Sequence, residues 1–286
     1  MIKVLHFSPV RKPSDIVKLH LKGLQNLRTD DMQVKFSFFD DNTDSESSVH
    51  LENFVKNNAN SHFLNLNLNN FDNYEGDKRW TPVLYSRITE IKNLAIRKFI
   101  KEDYDYLFLT DSDLILHPNT LLNLVKQKRN FCSSIFWTKF NNSSIYTPNA
   151  WYSKPKGFDF TDLEKFKQPS TLAVDFTGAC TLLSREILES NVNFKKIPNL
   201  HYLGEDKHFC IRASVLGFQA FVNTEYPSFH IYSDRELKLA EEWLKNNYSY
   251  DYLKCWLDKS WEQNAKKWVS PKKNSLIKKI IMKIKR

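Results

Sequence analysis

Residues 104–118 read Tyr-Asp-Tyr-Leu-Phe-Leu-Thr-Asp-Ser-Asp-Leu-Ile-Leu-His-Pro and place two carboxylates directly after a strand-like run. The apolar run Tyr106–Thr110 predicts a buried strand, and in an open parallel sheet the carboxyl ends of the strands face the ligand crevice. Asp111 and Asp113 stand one residue apart at that end, and carboxylates in this arrangement suit Mg²⁺ or Mn²⁺ that bridges phosphates. The alternative is a turn in which Asp113 only caps a following helix.

Strand-like and helical patterns alternate on both sides of this segment. The strand-like runs are Ile2–Phe7, Val34–Phe39, Phe63–Leu68, Phe131–Trp137 and Leu172–Phe176. Helical spacing covers residues 84–101, a stretch from about 184, residues 206–216, and the chain from 234 onward. This order predicts an α/β fold, in which helices flank a mostly parallel sheet and a helical extension follows. We expect a first domain over residues 1–233 and a C-terminal helical segment over residues 234–286.

The composition favours a folded protein and excludes several common types of site. The chain has 286 residues, 41% of them hydrophobic, which is enough for a sizeable core. Its six glycines form neither the GxGxxG pattern of dinucleotide-binding folds nor the GxxxxGKS or GxxxxGKT phosphate loop. The four cysteines have no CxxC spacing, so neither a zinc site nor a disulfide framework is predicted. Because no signal-peptide pattern and no apolar run of membrane-spanning length is present, we expect a cytoplasmic protein.

The net charge of +9 is concentrated near the end of the sequence. Residues 272–286 hold seven basic and no acidic residues, so the rest of the chain carries only +2 and no nucleic-acid-binding face is expected. Between Ser275 and Arg286, isoleucines and a leucine recur with helical spacing, and lysines occupy the complementary positions. This pattern is typical of a basic amphipathic helix at an anionic membrane surface. A helix docked on the protein body, or one that forms a homodimer, is the alternative.

Two further polar groups lie next to apolar segments later in the chain. Gly204-Glu205-Asp206 precedes a helical pattern that stops at Gly217, where a left-handed cap is expected. Asp206 is a candidate general base, and its place near the positive end of a helix would keep its pKa low. The alternative is that Glu205 and Asp206 have no role beyond stabilising the first turn of the helix. His230 ends an apolar segment and is a candidate nitrogen ligand for Mn²⁺, although a lone histidine is more often structural.

The order of these segments resembles that of nucleotide-sugar glycosyltransferases of the GT-A fold, and family 2 most of all. The matching pieces are Asp40-Asp41-Asn42, residues 107–118, Phe176–Arg185, and the segment from Gly204 to His230. They span roughly residues 1–235, and their combination carries the resemblance rather than any one piece. Ser8–Pro13 departs from the usual Pro-x-x-Asn after the first strand, and the QxxRW motif of processive synthases is absent. A processive polymer synthase is therefore not expected.

The resemblance implies roles for individual positions. The residues implied to bind a divalent ion, Mn²⁺ or Mg²⁺, are Asp111, Asp113 and His230. The residues implied to bind the nucleotide-sugar are Ser8, Pro9, Asp41, Arg87, Asp111 and Ser112. Lys92 is a second candidate, beside Arg87, to face the diphosphate. Asp206 is implied as the base of an inverting reaction, and the acceptor side is implied to include Thr177, Gly178 and Glu205.

The function implied by the resemblance is that of a metal-dependent glycosyltransferase of the hexosyltransferase class, with residues 1–233 as the GT-A catalytic domain. It would transfer one sugar from a nucleotide-diphosphate donor, expected to be a UDP-sugar, to a saccharide or glycolipid. The basic tail would hold it as a peripheral protein at the cytoplasmic face of the membrane. One alternative is a sugar nucleotidyltransferase, although Ser8–Pro13 lacks the glycine-rich loop of that class. The other is a basic membrane or nucleic-acid adaptor without enzymatic activity.

Overall fold

The computed structural model describes residues 1–65, 81–140, 145–153, 160–200 and 204–268, and its centre is an eight-stranded sheet. The described strands are, in chain order, β1 (Ile2–Val10), β2 (Met32–Asp40), β3 (Ser61–Asn65), β4 (Tyr106–Thr110), β5 (Leu114–Ile115), β6 (Phe131–Ser134), β7 (Trp137–Thr138), β8 (Thr147–Pro148), β9 (Ala150–Trp151), β10 (Thr171–Val174), β11 (Phe176–Thr177), β12 (Cys180–Ser184), β13 (Ala220–Asn223) and β14 (Phe229–His230). The described helices are α1 (Ser14–Gln25), α2 (Ser45–Asn57), α3 (Pro82–Lys101), α4 (Thr120–Lys126), α5 (Phe160–Phe166), α6 (Arg185–Glu189), α7 (Glu205–Val215), α8 (Leu237–Lys245) and α9 (Tyr250–Trp268). A short 3-10 turn, Asp234–Glu236, leads into α8. The basic tail, residues 272–286, lies outside the described residues.

The eight strands of the central sheet lie in the order β3-β2-β1-β4-β12-β6-β13-β10. Neighbours are parallel from β3 to β4, whereas β12 runs antiparallel to both β4 and β6. Strand β13 is parallel to β6, and β10 is antiparallel to β13. The sheet is therefore mixed and mostly parallel, which confirms the α/β fold predicted from the sequence. Because β1, β2 and β4 are parallel neighbours, their carboxyl ends meet at one edge of the sheet.

The predicted strands overlap the observed ones, but two strands of the sheet were not predicted. Strand β4 coincides with the predicted run, and β1, β2, β6 and β10 each overlap one. The predicted strand Phe63–Leu68 overlaps β3 as far as Asn65, and its remainder lies outside the described residues. Strands β12 and β13 are short and buried along nearly their whole length, so neither shows the alternation that identifies a half-exposed strand.

Hydrophobic side chains form two core clusters. Residues of β1 alternate between them, so that Leu5 and Phe7 join one cluster and Val4 joins the other. The first cluster includes residues of the C-terminal helices, among them Trp243, whose side chain is completely buried. Helices α8 and α9 therefore pack on the same core as the sheet, and the domain boundary at residue 233 stays a prediction. Among the described helices, none combines the length and apolar character that a membrane span requires.

Helices α3 and α7 carry polar side chains to the carboxyl edge of the sheet. Helix α3 begins with Pro82, whose fixed φ suits the first turn of a helix. Helix α7 follows Gly204, which has a φ of 98° that is readily adopted only by glycine. Gly217 follows the helix with a φ of 87°, which confirms the predicted left-handed cap. These limits place Asp206 in the first turn of α7.

Candidate active site

Residues predicted to form a site converge at the carboxyl edge of β1, β2 and β4. Asp111 and Asp113 follow β4, Asp41 follows β2, and the loop Arg11–Pro13 follows β1. The short strands β5 and β14 pair with each other at this edge, which sets His230 beside the backbone that follows Asp113. The fold therefore brings residues from four separate parts of the chain to one place.

Asp113 is bound by two side chains that are distant in the sequence. Lys12 Nζ lies 2.6 Å from Asp113 Oδ2, and His230 Nε2 lies 3.3 Å from the same oxygen. The Asp113 side chain is 8% exposed, and its other oxygen, Oδ1, is buried without a hydrogen-bond partner among the described residues. Asp113 caps no helix, because β5 follows it and the next helix begins only at Thr120. Residues 112–113 do form a turn, but the expectation that Asp113 caps a following helix is wrong.

His230 is held in one orientation by its surroundings. Its Nδ1 forms a hydrogen bond of 2.8 Å with Thr138 Oγ1, while Nε2 lies against Asp113. The rings of Phe136 and Tyr232 contact the imidazole, with centroid distances of 5.0 and 5.9 Å. An imidazole that is bonded through one nitrogen presents the other nitrogen in a fixed direction, as is typical of histidines that ligate metals.

Asp41 forms a buried ion pair with Arg87. Arg87 Nε donates to Asp41 Oδ2 at 2.7 Å, and Arg87 Nη2 contacts Oδ1. Both side chains are 7% exposed, and Arg11 Nη1 approaches Asp41 Oδ2 to 3.4 Å from the loop after β1. Arg87 and Asp41, which the resemblance implies for nucleotide binding, therefore lie together as one bonded pair.

Lys92 connects α3 to the first turn of α7. Its Nζ donates hydrogen bonds of 2.7 Å to Glu205 Oε1 and 2.8 Å to Asp206 Oδ1. The side chains of Lys92 and Glu205 are 3% and 7% exposed, whereas that of Asp206 keeps an exposed fraction of 28%. Lys92 was a sequence candidate for the diphosphate, but its side chain instead lies against these two carboxylates.

Gly178 lies directly against Asp206. A Cβ atom at position 178 would come within 2.7 Å of Asp206 Cβ and closer still to the carboxylate, so only glycine fits here. Thr177, Gly178 and Asp206 line the same small cavity, together with Lys92. Thr177 Oγ1 is buried without a hydrogen-bond partner among the described residues. Thr177 and Gly178, which are implied for the acceptor side, therefore line one cavity with Asp206, and Glu205 shares Lys92 with it.

Ser8, Pro9 and Ser112 differ in how much surface they offer. Ser8 is completely buried, and its hydroxyl lies 3.3 Å from His20 Nε2 on α1. Ser112 is also buried, with 3% exposure. Pro9 stands in β1 opposite Phe39 of β2 and is partly exposed. Of the three, Pro9 offers the most accessible surface to a bound molecule.

Burial and charge separate the pKa values of the carboxyl groups. Burial raises the pKa of Asp206 to about 6, and Lys92 opposes this effect only in part. Burial likewise raises the pKa of Asp111 to about 7, against the attraction of Lys92 and with the added repulsion of Asp113. Asp113 is buried too, but its two basic partners hold its pKa well below the usual range. The pKa of Asp206 therefore lies above the low value that a helix dipole alone would favour, because burial raises it.

The donor atoms at this edge fit a divalent cation. Asp113 supplies a buried oxygen that lacks a partner, while Asp111 and His230 add an oxygen and a nitrogen donor, a set that suits Mn²⁺ or Mg²⁺. Within the part of the chain that the structure describes, no three such side chains already converge into a metal-binding group.

Known proteins resemble this chain in fold but not in sequence. Neither a protein-family model nor a curated protein sequence matches it. The solved structure of mannosyltransferase PcManGT from Pyrobaculum calidifontis, in complex with GDP-Man and Mn²⁺, matches with a TM-score of 0.50 and 14% identity. The match covers 81% of this chain and 57% of that chain. The chain has a GT-A fold.

A crystal structure of TarS from S. aureus matches with a TM-score of 0.47 and 13% identity, over 80% of this chain and 60% of that chain. The chain therefore spans less than two thirds of either solved chain. At such identities the similarity concerns the GT-A fold and transfers no activity. The resemblance to GT-A glycosyltransferases is confirmed at the level of the fold.

Proposed function

We propose that this protein is a metal-dependent glycosyltransferase that transfers one sugar from a nucleotide-diphosphate donor to a hydroxyl acceptor. The observation that carries the proposal is that one edge of a GT-A sheet holds two kinds of acidic site. One is the carboxylate pair Asp111 and Asp113, and the other is Asp206 beside Lys92. Asp113 contacts His230, and Asp111 lies two residues before Asp113 at the end of β4, an arrangement that suits a cation bound to a diphosphate. Asp206 is held by Lys92 and keeps a side-chain exposure of 28%, which suits a general base.

On the donor side, Asp111, Asp113 and His230 would hold Mn²⁺ or Mg²⁺. The bound ion would supply Lewis-acid chemistry that neutralises the diphosphate as it leaves. The buried pair of Asp41 and Arg87 would form the polar wall of the nucleotide site. We propose that the nucleotide lies against this pair and against Ser8, Pro9 and Ser112.

On the acceptor side, deprotonated Asp206 would take the proton of the acceptor hydroxyl. The acceptor oxygen then attacks the anomeric carbon, and the bond from that carbon to the diphosphate breaks with inversion. Lys92 Nζ at 2.8 Å, together with the close approach of Gly178, fixes the direction of the carboxylate. Thr177 would line the acceptor side, and Glu205 would act by positioning Lys92.

We propose a UDP-sugar as the donor, a hexosyl group as the transferred sugar, and a saccharide or glycolipid as the acceptor. PcManGT in its solved structure is bound to GDP-Man and Mn²⁺, which supports a nucleotide-sugar and a divalent ion as the ligand class. GDP is therefore the alternative nucleotide that an experiment has to include.

Thermal unfolding of the full-length protein tests the donor class. We would measure the Tm with UDP, GDP, CDP and the matching triphosphates, each with Mn²⁺, Mg²⁺ or EDTA. A ligand at a hundred times its Kd stabilises a protein by about 2.7 kcal/mol, so one diphosphate should raise the Tm, and more so with a metal ion. Stabilisation by triphosphates alone would favour the nucleotidyltransferase alternative. If no nucleotide changes the Tm under any condition, the proposed function is contradicted in favour of a non-enzymatic adaptor.

We further propose that residues 272–286 hold the enzyme peripherally at the cytoplasmic face of the membrane. The support is the sequence pattern, since each of the seven basic residues contributes about 1 kcal/mol near an anionic leaflet. Truncation after Ser270 should release the protein from sedimenting anionic vesicles and leave turnover on a soluble acceptor unchanged. Unchanged vesicle binding would exclude the tail as the anchor, and a change in sedimentation coefficient without vesicles would point to the homodimer alternative.

A further inference from the structure

Lys12 places an ammonium group inside the proposed donor site, although the sequence did not single it out. Its Nζ lies 2.6 Å from Asp113 Oδ2, the same oxygen that His230 approaches. The Lys12 side chain is 30% exposed and that of Asp113 is 8% exposed. The ammonium group therefore contacts a carboxylate that is more deeply buried than the lysine itself.

The backbone that carries Lys12 is firmly anchored. Its N–H donates to Asn42 Oδ1 at 3.0 Å, and Ser47 Oγ donates to its carbonyl oxygen at 2.8 Å. The carbonyl oxygen of Pro13, the next residue, accepts a bond of 3.0 Å from Ile16 N–H in the first turn of α1. The four-carbon side chain can therefore change its partner while the loop stays in place.

Lys12 is one of two positive charges that the loop after β1 directs at acidic groups of the site. Although burial lowers it, the pKa of Lys12 is raised above its usual value by Asp113 and, less strongly, by Asp111. Arg11, the preceding residue, approaches Asp41 to 3.4 Å. This loop thus supplies side-chain cations at the place where glycine-rich loops of other nucleotide-binding folds present backbone N–H groups.

We infer that the Lys12 ammonium group contacts Asp113 in the free protein and moves to the diphosphate when the donor binds. This inference rests on the proposed function. In the free protein Lys12 neutralises Asp113 and competes with the divalent ion for that carboxylate. With the donor bound, its ammonium group contacts the diphosphate oxygens, which a lysine binds as a point charge. A nucleotide diphosphate should then retain measurable affinity without any metal ion.

Isothermal titration of the full-length protein with Mn²⁺ alone tests the first half of this inference. Lys12→Met removes the charge but keeps the aliphatic stem, and it should bind Mn²⁺ about tenfold more tightly than wild type, because a competing charge is removed. Lys12→Gln should shift the affinity in the same direction, and its amide can still donate to Asp113, so this variant carries the test if the methionine variant does not fold. Lys12→Arg keeps the charge and should bind Mn²⁺ like wild type.

Titration with UDP and with GDP in EDTA tests the second half. Lys12→Met and Lys12→Gln should bind the nucleotide at least about tenfold more weakly than wild type, since a charge-assisted contact is lost. Lys18→Met is the matched control, because Lys18 is an exposed lysine on the neighbouring helix α1. Mn²⁺ affinity and metal-free nucleotide affinity that both equal those of the control would overturn the inference. If wild type binds neither nucleotide even with Mn²⁺, the proposed function fails instead, and the Mn²⁺ titration alone decides whether Lys12 holds Asp113.

Discussion

Asp206→Asn is expected to lower kcat by about 10²–10⁴-fold, the range that general-base catalysis contributes. Asparagine keeps the shape that fits against Gly178, and its amide oxygen can still accept a hydrogen bond from Lys92, so the geometry persists while the proton acceptor is lost. Donor affinity should change by less than about twofold, because Asp206 stands outside the residues proposed to bind the diphosphate. Steady-state kinetics on a soluble acceptor and a nucleotide titration measure the two quantities separately.

Asp15→Asn is the matched control for this substitution. Asp15 also stands in the first turn of a helix, α1, but it is exposed and is not among the residues of the proposed site. Each variant loses a helix-dipole interaction of about 0.3–1 kcal/mol, which thermal unfolding reports. The Asp206 variant also loses the negative charge that faces Lys92, so its stability should fall further than that of the control. If both variants lose this stability and neither loses kcat, Asp206 only stabilises its helix. A loss of donor affinity in the Asp206 variant would instead assign this residue to the nucleotide site.

The pH dependence of the reaction follows from the environment of the same carboxyl group. Because a general base works in its deprotonated form and burial raises the pKa of Asp206 to about 6, kcat should rise with pH and level off above that value. Lys92 favours the deprotonated form, so Lys92→Met should raise this pKa and move the acid limb of the profile to higher pH. An acid limb that stays in place in the Lys92 variant would belong to a different group.

The parts of the site that belong to a single element could be predicted from local patterns. The apolar run Tyr106–Thr110 is uninterrupted and ends in two carboxylates, so both the strand and the position of its carboxyl end follow from the residues alone. The end of α7 at Gly217 is equally local, because a left-handed residue after a helix favours glycine. Strand β12 could not be predicted in the same way. It is buried along almost its whole length, so its sequence lacks the alternation of apolar and polar residues that identifies a half-exposed strand.

Pairings between distant residues could not be predicted in this way. Lys12 and Lys92 both have the polarity of surface residues, and no spacing rule connects either of them to its carboxylates. Lys92 can be almost fully buried only because Glu205 and Asp206 compensate its charge, which depends on how α3 packs against α7. The sequence therefore indicated the acidic groups of the candidate site and named Arg87, Lys92 and His230 beside them. Lys12, and the pairing of each basic side chain with its carboxylate, emerged only from the fold.

Asp113→Asn is expected to remove metal-dependent turnover, with a loss of about 10³-fold or more, because Lewis-acid stabilisation of the leaving group is worth several kcal/mol. Asp113 is the carboxylate best placed for this role, since one oxygen is buried without a partner among the described residues and the other faces His230. Mn²⁺ binding to the nucleotide-free protein should weaken in parallel. Asp105→Asn is the control, because Asp105 precedes the same strand at its opposite end and binds the backbone N–H of Lys3 at 2.7 Å.

The nucleotide affinity of the Asp113 variant distinguishes the contribution of Lys12 from that of the metal ion. Without Asp113, Lys12 is released toward the diphosphate, so the affinity for UDP or GDP in EDTA should stay at the wild-type level or rise. The additional affinity that Mn²⁺ gives to wild type should disappear, because the metal has lost a ligand. If the variant keeps its metal-dependent activity, Asp113 is not a ligand, and its contacts with Lys12 and His230 only hold the loop after β1 against the strand pair β5–β14.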